Sequence, residues 1–167
     1  MNNVIFLDVD GVLNSKFWDD EHQREISEGK NVDIYAVKLF SKLVKKTDAK
    51  VILHSGWRFW FDDEMKPKRP EAEFLANVMA KENVVISGVT PDLTTEEIRK
   101  TKKFSLVKAD EILLWLKENS ADNWLVIDDL DLHNTEVEKH QIKTNAEIGL
   151  TEEDVEKACE ILRTGCV

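Results

Sequence analysis

The sequence predicts an α/β fold of three layers, a parallel sheet with helices on both faces, from three observations. Short runs that are apolar throughout recur along the chain. Segments with apolar residues at helical spacing separate them, and polar residues, acids and a hydroxyl among them, follow three of the runs. A strand buried on both faces of a parallel sheet reads as a continuous apolar run rather than an alternation. Strands that alternate with helices of ten or more residues make βαβ units.

Val4-Ile5-Phe6-Leu7 is the first such run, Val51-Ile52-Leu53 the second, Val84-Val85-Ile86 the third and Trp124-Leu125-Val126-Ile127 the fourth. Between them, Ile34, Val37, Phe40 and Val44 recur at helical spacing, with Asp33 placed to cap. Glu71 to Lys81 carries Phe74, Leu75, Val78 and Met79 on one stripe, and Ile112, Leu113, Trp115 and Leu116 mark a third helix. Thr151-Glu152-Glu153-Asp154 is a capping box with Asp for Glu, opening a last helix through Val155, Ala158 and Leu162. Asn14 to Asn31 and Arg58 to Pro70 fit no element; each follows a strand closely and so belongs above the carboxyl edge of the sheet. The first strand is expected at the centre, flanked by the second and fourth.

The length of 167 residues corresponds to one domain over residues 1–167, large enough for a core without staples. Lys and Arg number 23 against 33 Asp and Glu, a net charge of −10. That balance disfavours non-specific attraction to nucleic acid or anionic membranes; Lys100, Lys102 and Lys103 are either a local basic patch or a solvated helix end. Two cysteines, Cys159 and Cys166, make neither a disulfide framework nor a zinc site. Cys159 is expected to pack and Cys166 to be exposed. Val4 to Leu7 is too short for a signal peptide, and no run approaches the ~20 apolar residues of a membrane span. No membrane partner is expected, and a reducing, cytoplasmic setting fits.

In an open α/β sheet the ligand site lies outside the carboxyl ends of the strands. Asp8-Val9-Asp10-Gly11 follows the first run, His54-Ser55-Gly56-Trp57-Arg58 the second and Asp128-Asp129-Leu130-Asp131 the fourth. Carboxylates gathered at one edge repel unless a cation sits among them. An all-oxygen set without His or Cys at metal spacing suits Mg²⁺ rather than zinc. Such an ion would orient a phosphate and leave one aspartate free to attack phosphorus. Gly11 permits a positive φ that turns backbone N–H groups toward phosphate oxygens.

VIFLDVDGVLN, residues 4–14, resembles the first motif of the haloacid dehalogenase-like (HAD) phosphatases, a Rossmann-like family whose signature is an apolar strand ending in Asp-x-Asp-Gly. Ser55 resembles the second-motif hydroxyl, Lys108 at the head of KADEILLWL the third-motif lysine, and Asp128-Asp129 after WLVI the acidic fourth motif. HSGWR, SGVTPDL, WLVIDDLD and GLTEEDVEKACEIL further resemble the HAD domain associated with Swiss army knife RNA-repair proteins. The resemblance implies a phosphatase that works through an aspartyl-phosphate. Asp8 would be the nucleophile and Asp10 the acid and base, with Ser55 and Lys108 stabilising phosphoryl charge. Mg²⁺ would be held by Asp8, the Asp10 carbonyl and Asp128, with Asp129 supporting or exchanging roles. Gly11, Gly56 and Arg58 are candidate phosphate contacts, Arg58 being equally a surface salt bridge.

Asn14 to Asn31 is too short for an inserted cap, and a helix and a strand use up much of Arg58 to Leu106, so a capless or minimally capped site is expected, open to a large substrate or closed by another protein. Its phosphorylated substrate is either a nucleic-acid end or a small nucleotide or sugar phosphate. The run Trp57, Phe59, Trp60 and Phe61 would stack a nucleobase or else pack the core. His54 reads as a buried strand-end residue, and Trp115 and Trp124 as core. A receiver-like domain that only accepts a phosphoryl group is the other reading. Receivers, however, place the acidic pair first and the acceptor on a later strand, the reverse of the order here.

Overall fold

The computed structural model describes residues 2–15 and 31–164. Most of the Asn14 to Asn31 stretch and Cys166 therefore lie outside the described residues. Five parallel strands form one sheet in the order β3-β2-β1-β4-β5. They are β1 (Asn3–Leu7), β2 (Lys50–Leu53), β3 (Ile86–Val89), β4 (Asn123–Asp128) and β5 (Gln141–Lys143). β1 is central, with Leu7 paired to Leu53 on one side and to Ile127 on the other, so the three strands end level.

Alternation along β1 builds two cores. Ile5 and Leu7 face one side with Val51, Leu53, Leu125 and Ile127, and helices α1 (Ile34–Thr47), α2 (Pro70–Lys81) and α6 (Glu152–Thr164) supply residues to that cluster. Val4 and Phe6 face the other with Ile52 and Val126, under α4 (Ser105–Glu118) and the short α5 (Thr135–Glu138). The three layers follow from this period-two split. Trp115 meets Phe6 edge-on at 5.3 Å, and the half-buried Trp124 does so at 6.1 Å while stacking on His140.

Both predicted caps form. Asp33 Oδ1 accepts from the Tyr35 amide at 3.0 Å, and in the box Asp154 Oδ2 accepts from Thr151 N while Thr151 Oγ1 accepts from Asp154 N. Cys159 packs half-buried against the α1–α6 side of the core.

The third strand differs from its expected position. It runs Ile86–Val89, not Val84–Ile86, because the Val84 amide still bonds Met79 O at the end of α2. Val85 then points to solvent at 72% exposure, and a register shift between Val51 and Ile52 brings Gly88 opposite Ile52. A short helix, α3 (Glu96–Thr101), precedes α4, and α4 itself starts at Ser105, before Lys108. The predicted stripe contained neither.

Candidate active site

Three strand ends and one helix converge on a cavity of about 680 Å³ whose lining includes Asp8, Asp10, Gly11, Ser55, Lys108 and Asp129. Asp8 continues β1, its amide donating to Ile127 O at 3.0 Å, so the hydrogen bonds of the sheet carry it to the edge. The chain then turns at once. Gly11 has φ +82°, and a Cβ there would lie 2.5 Å from Asp129 Cγ, so only glycine allows the two loops to touch. Asn14 holds this turn, its Oδ1 accepting from Gly11 N at 2.9 Å and its Nδ2 donating to Asp10 Oδ1 at 2.9 Å. Thr144, after β5, donates its hydroxyl to Gly11 O at 2.7 Å. Asp10 is the exposed member of the pair, Asp8 the buried one.

Asp8, Asp128 and Asp129 each offer a carboxylate oxygen within 4.8 Å of the others. Lys108, one turn into α4, reaches into this group. Its Nζ lies 2.6 Å from Asp128 Oδ2 and 3.6 Å from Asp8 Oδ1. Burial raises the Asp8 carboxyl well above the usual range, and Asp128 and Asp129 add to this against the opposing Lys108. Burial and the neighbouring Asp128 likewise raise Asp129. For Lys108, burial alone would lower the ammonium, but the charges of Asp8 and Asp128 outweigh it, so the lysine stays charged. Three carboxylates against one ammonium leave an excess of negative charge and an all-oxygen donor set, the chemistry that fits a hard divalent cation.

The acidic pair at the end of β4 is held in two different ways. Asp128 is fully buried, and both its oxygens are engaged, Oδ1 by the Leu130 amide at 2.9 Å and Oδ2 by Lys108. Asp129 is half-buried, lines the cavity and sits against the Gly11 turn.

Ser55 caps the 3₁₀ turn Gly56–Trp60, its Oγ accepting from Trp57 N at 3.1 Å. Gly56 lines the cavity, but a Cβ there would meet nothing within 4 Å, so no close approach demands glycine. Arg58 lines the cavity, and its pairing is a buried one rather than a surface salt bridge. It is buried, with Nη2 donating to Glu111 Oε2 at 2.8 Å and Nη1 to Ser55 O at 3.2 Å. Glu111 Oε2 also accepts from Leu93 N, so one carboxylate joins the 3₁₀ turn, the segment after β3 and α4. Sequence reading passed over Glu111, although it follows Lys108 by three residues and so shares its helix face.

The aromatic run resolves into core and rim. Trp57 and Phe61 are buried, and Trp60 is half-buried, 4.8 Å from Trp57, as the three-residue repeat of a 3₁₀ turn requires. Only Phe59 faces the cavity, at 51% exposure. Neither Trp57 nor Trp60 lines the cavity. His54 is fully buried; burial, with Lys108 and Arg58 nearby, lowers it well below 6.5, so it is a neutral imidazole. Its Nδ1 pairs with Thr90 Oγ1 at 3.2 Å, and its Nε2 stands 4.0 Å from Asp128 Oδ2. Among the described residues, no helix is long and apolar enough to cross a membrane.

A family model described as the HAD domain in Swiss Army Knife RNA repair proteins matches residues 4–155. No curated protein and no solved structure matches the chain. The matched span takes in the whole sheet but Asn3, and all three aspartates of the acidic cluster; the chain belongs to the HAD domains of Swiss Army Knife RNA repair proteins, a membership that points to a phosphoesterase-type hydrolase.

Proposed function

We propose that the protein is a Mg²⁺-dependent phosphomonoester hydrolase that works through an aspartyl-phosphate on Asp8. The observation that carries this reading is the position of Asp8. It is buried at a strand end, 3.6 Å from a charged lysine, within a cluster of three carboxylates, at the floor of a cavity that Ser55 and Asp10 also line.

In the first step an Asp8 carboxylate oxygen forms a bond to phosphorus as the bond to the ester oxygen breaks. Asp10, the exposed member of the pair, gives the leaving oxygen its proton, and Asn14 holds Asp10 in place for that transfer. In the second step a water oxygen bonds phosphorus, Asp10 takes the water's proton, and the bond from phosphorus to Asp8 breaks, releasing inorganic phosphate. Lys108 and the Ser55 hydroxyl supply positive charge and a hydrogen bond to the phosphoryl oxygens. Asp8, Asp129 and the Asp10 carbonyl would hold Mg²⁺, which supplies neutralisation of the crowded carboxylates and of the phosphate. Asp128, with both oxygens engaged, orients Lys108 instead.

For the substrate, a terminal phosphate on a nucleic acid is the reading the family description favours. The net charge of −10 weakens its affinity without removing the local site. Asp8→Asn should abolish both turnover and the covalent intermediate. Asp10→Asn should keep the nucleophile and lose roughly 10²–10⁴ in rate, less with a leaving group such as nitrophenolate. Phosphate release with Mg²⁺ measures both, and full activity in Asp8→Asn would end this reading. Equal kcat/KM on phosphorylated oligonucleotides and sugar phosphates would assign a small-molecule phosphatase.

A further inference from the structure

The cavity is larger than the reaction requires. A phosphoryl group fills a small part of about 680 Å³, and cavities of this size take ligands of roughly drug size. The remaining volume is space for the leaving group, and its walls say what that group is. Beside its polar residues the lining includes four large apolar ones, Phe59, Phe104, Val107 and Leu130. Phe59 is 51% exposed, Phe104 46% and Leu130 41%. Large apolar side chains gathered at one cavity mouth are a binding rim rather than scattered surface.

Phe59 is a held ring. The Arg58 guanidinium carbon lies 4.6 Å from its centroid, and that buried guanidinium is anchored on Glu111 at 2.8 Å and on the Ser55 carbonyl at 3.2 Å. One arginine thus braces both the residue whose hydroxyl serves the phosphate and the ring beside the leaving group. A flat aromatic face binds another π-face well and offers a sugar's hydroxyls no hydrogen bond. Beyond Phe59 a second cavity of about 500 Å³ shares Arg58 and Phe59 and carries Asp62, Asp63 and Asp92 with Lys68. Three carboxylates against Lys68 and the Glu111-paired Arg58 disfavour a further phosphate in that second cavity.

We propose that Phe59 and Phe104 form a leaving-group subsite for the planar base of the nucleoside that bears the reacting phosphate. The proposal rests on the phosphatase reading above. It is tested with the full chain and Mg²⁺ by comparing kcat/KM on nucleoside 3′- and 5′-monophosphates with that on ribose 5-phosphate. The expected ratio is roughly tenfold or more in favour of the nucleotide with the better-placed phosphate. Phe59→Ala and Phe104→Ala should each lower that ratio several-fold. Phe59→Leu, which keeps apolar bulk for folding but loses the π-face, should lower it as well. Val85→Ala, on the exposed loop before β3, should leave it unchanged. A ratio near one in the native protein, or a ratio indifferent to all three phenylalanine variants, overturns the subsite. Failure of the parent reading looks different: no phosphomonoester is turned over at all.

Discussion

Gly11 is where backbone conformation and site chemistry meet most closely. An alanine there would adopt φ near +82° and press its Cβ against the Asp129 carboxylate at 2.5 Å. The left-handed conformation alone costs roughly 1–2 kcal/mol. Gly11→Ala is therefore expected to lower stability by at least that much in urea melts and to weaken Mg²⁺-dependent activity by displacing Asp129. His54 makes a pH prediction. Its imidazole is held neutral in the fold, with the folded value well below the ordinary 6.5, so the unfolded chain binds the extra proton first. Stability from this group is present above pH 6.5 and is lost as pH falls below it, by up to ~1.4 kcal/mol per pH unit. Asp8, Asp129 and Glu111, all raised, lose their contribution in the opposite direction, as pH rises. The informative measurement is thus the difference between native and His54→Gln melts from pH 7.5 to 5.5; an unchanged slope would show that folding leaves the His54 pKa where it stands in the unfolded chain, and a difference of opposite sign that His54 is protonated in the fold.

At the scale of elements, α4 delivers two charges to the site from one face, Lys108 and Glu111. Glu111 fastens the 3₁₀ turn and the segment after β3 to that helix through Arg58 and Leu93. Removing one partner of a buried pair strands the other charge, at roughly 3–5 kcal/mol, whereas replacing both by apolar groups of similar size costs far less. Glu111→Leu is expected to be strongly destabilised, and Arg58→Met/Glu111→Leu to recover most of that loss in denaturant melts. Activity should not recover with it, because Ser55 O and the Phe59 ring lose their brace. Purely additive effects in the four-variant cycle would show that the pair is uncoupled.

At the scale of the molecule, the charge of −10 sets how an anionic substrate arrives. Long-range repulsion slows approach and is screened by salt over about 10 Å at 0.1 M. For a phosphorylated oligonucleotide, kcat/KM is expected to rise as monovalent salt increases from low concentration toward 0.15 M at fixed Mg²⁺. A protein that binds through a basic track does the reverse. A fall in kcat/KM over that range would reveal a basic path on the surface that the net charge conceals.

Composition and spacing alone determined the α/β class, the central place of β1, and the acidic strand ends, because continuous apolar runs have few stable environments other than a covered parallel sheet. Asp8, Ser55 and Asp129 were legible because each follows an apolar strand run closely, whereas Lys108, inside α4, was singled out by its resemblance to the family's third motif. What tertiary structure decided were matters of direction. The start of β3 depends on where α2 releases the chain, and Asp128 and Asp129 are alike in sequence until Lys108 engages the first and Gly11 abuts the second. In the aromatic run, a turn of three residues per repeat buries Trp57 with Trp60 and turns Phe59 outward. Arg58 finds Glu111 fifty-three residues away, a pairing without any local periodic signal. Local pattern states which residues want burial, and only packing in three dimensions states which of them meet.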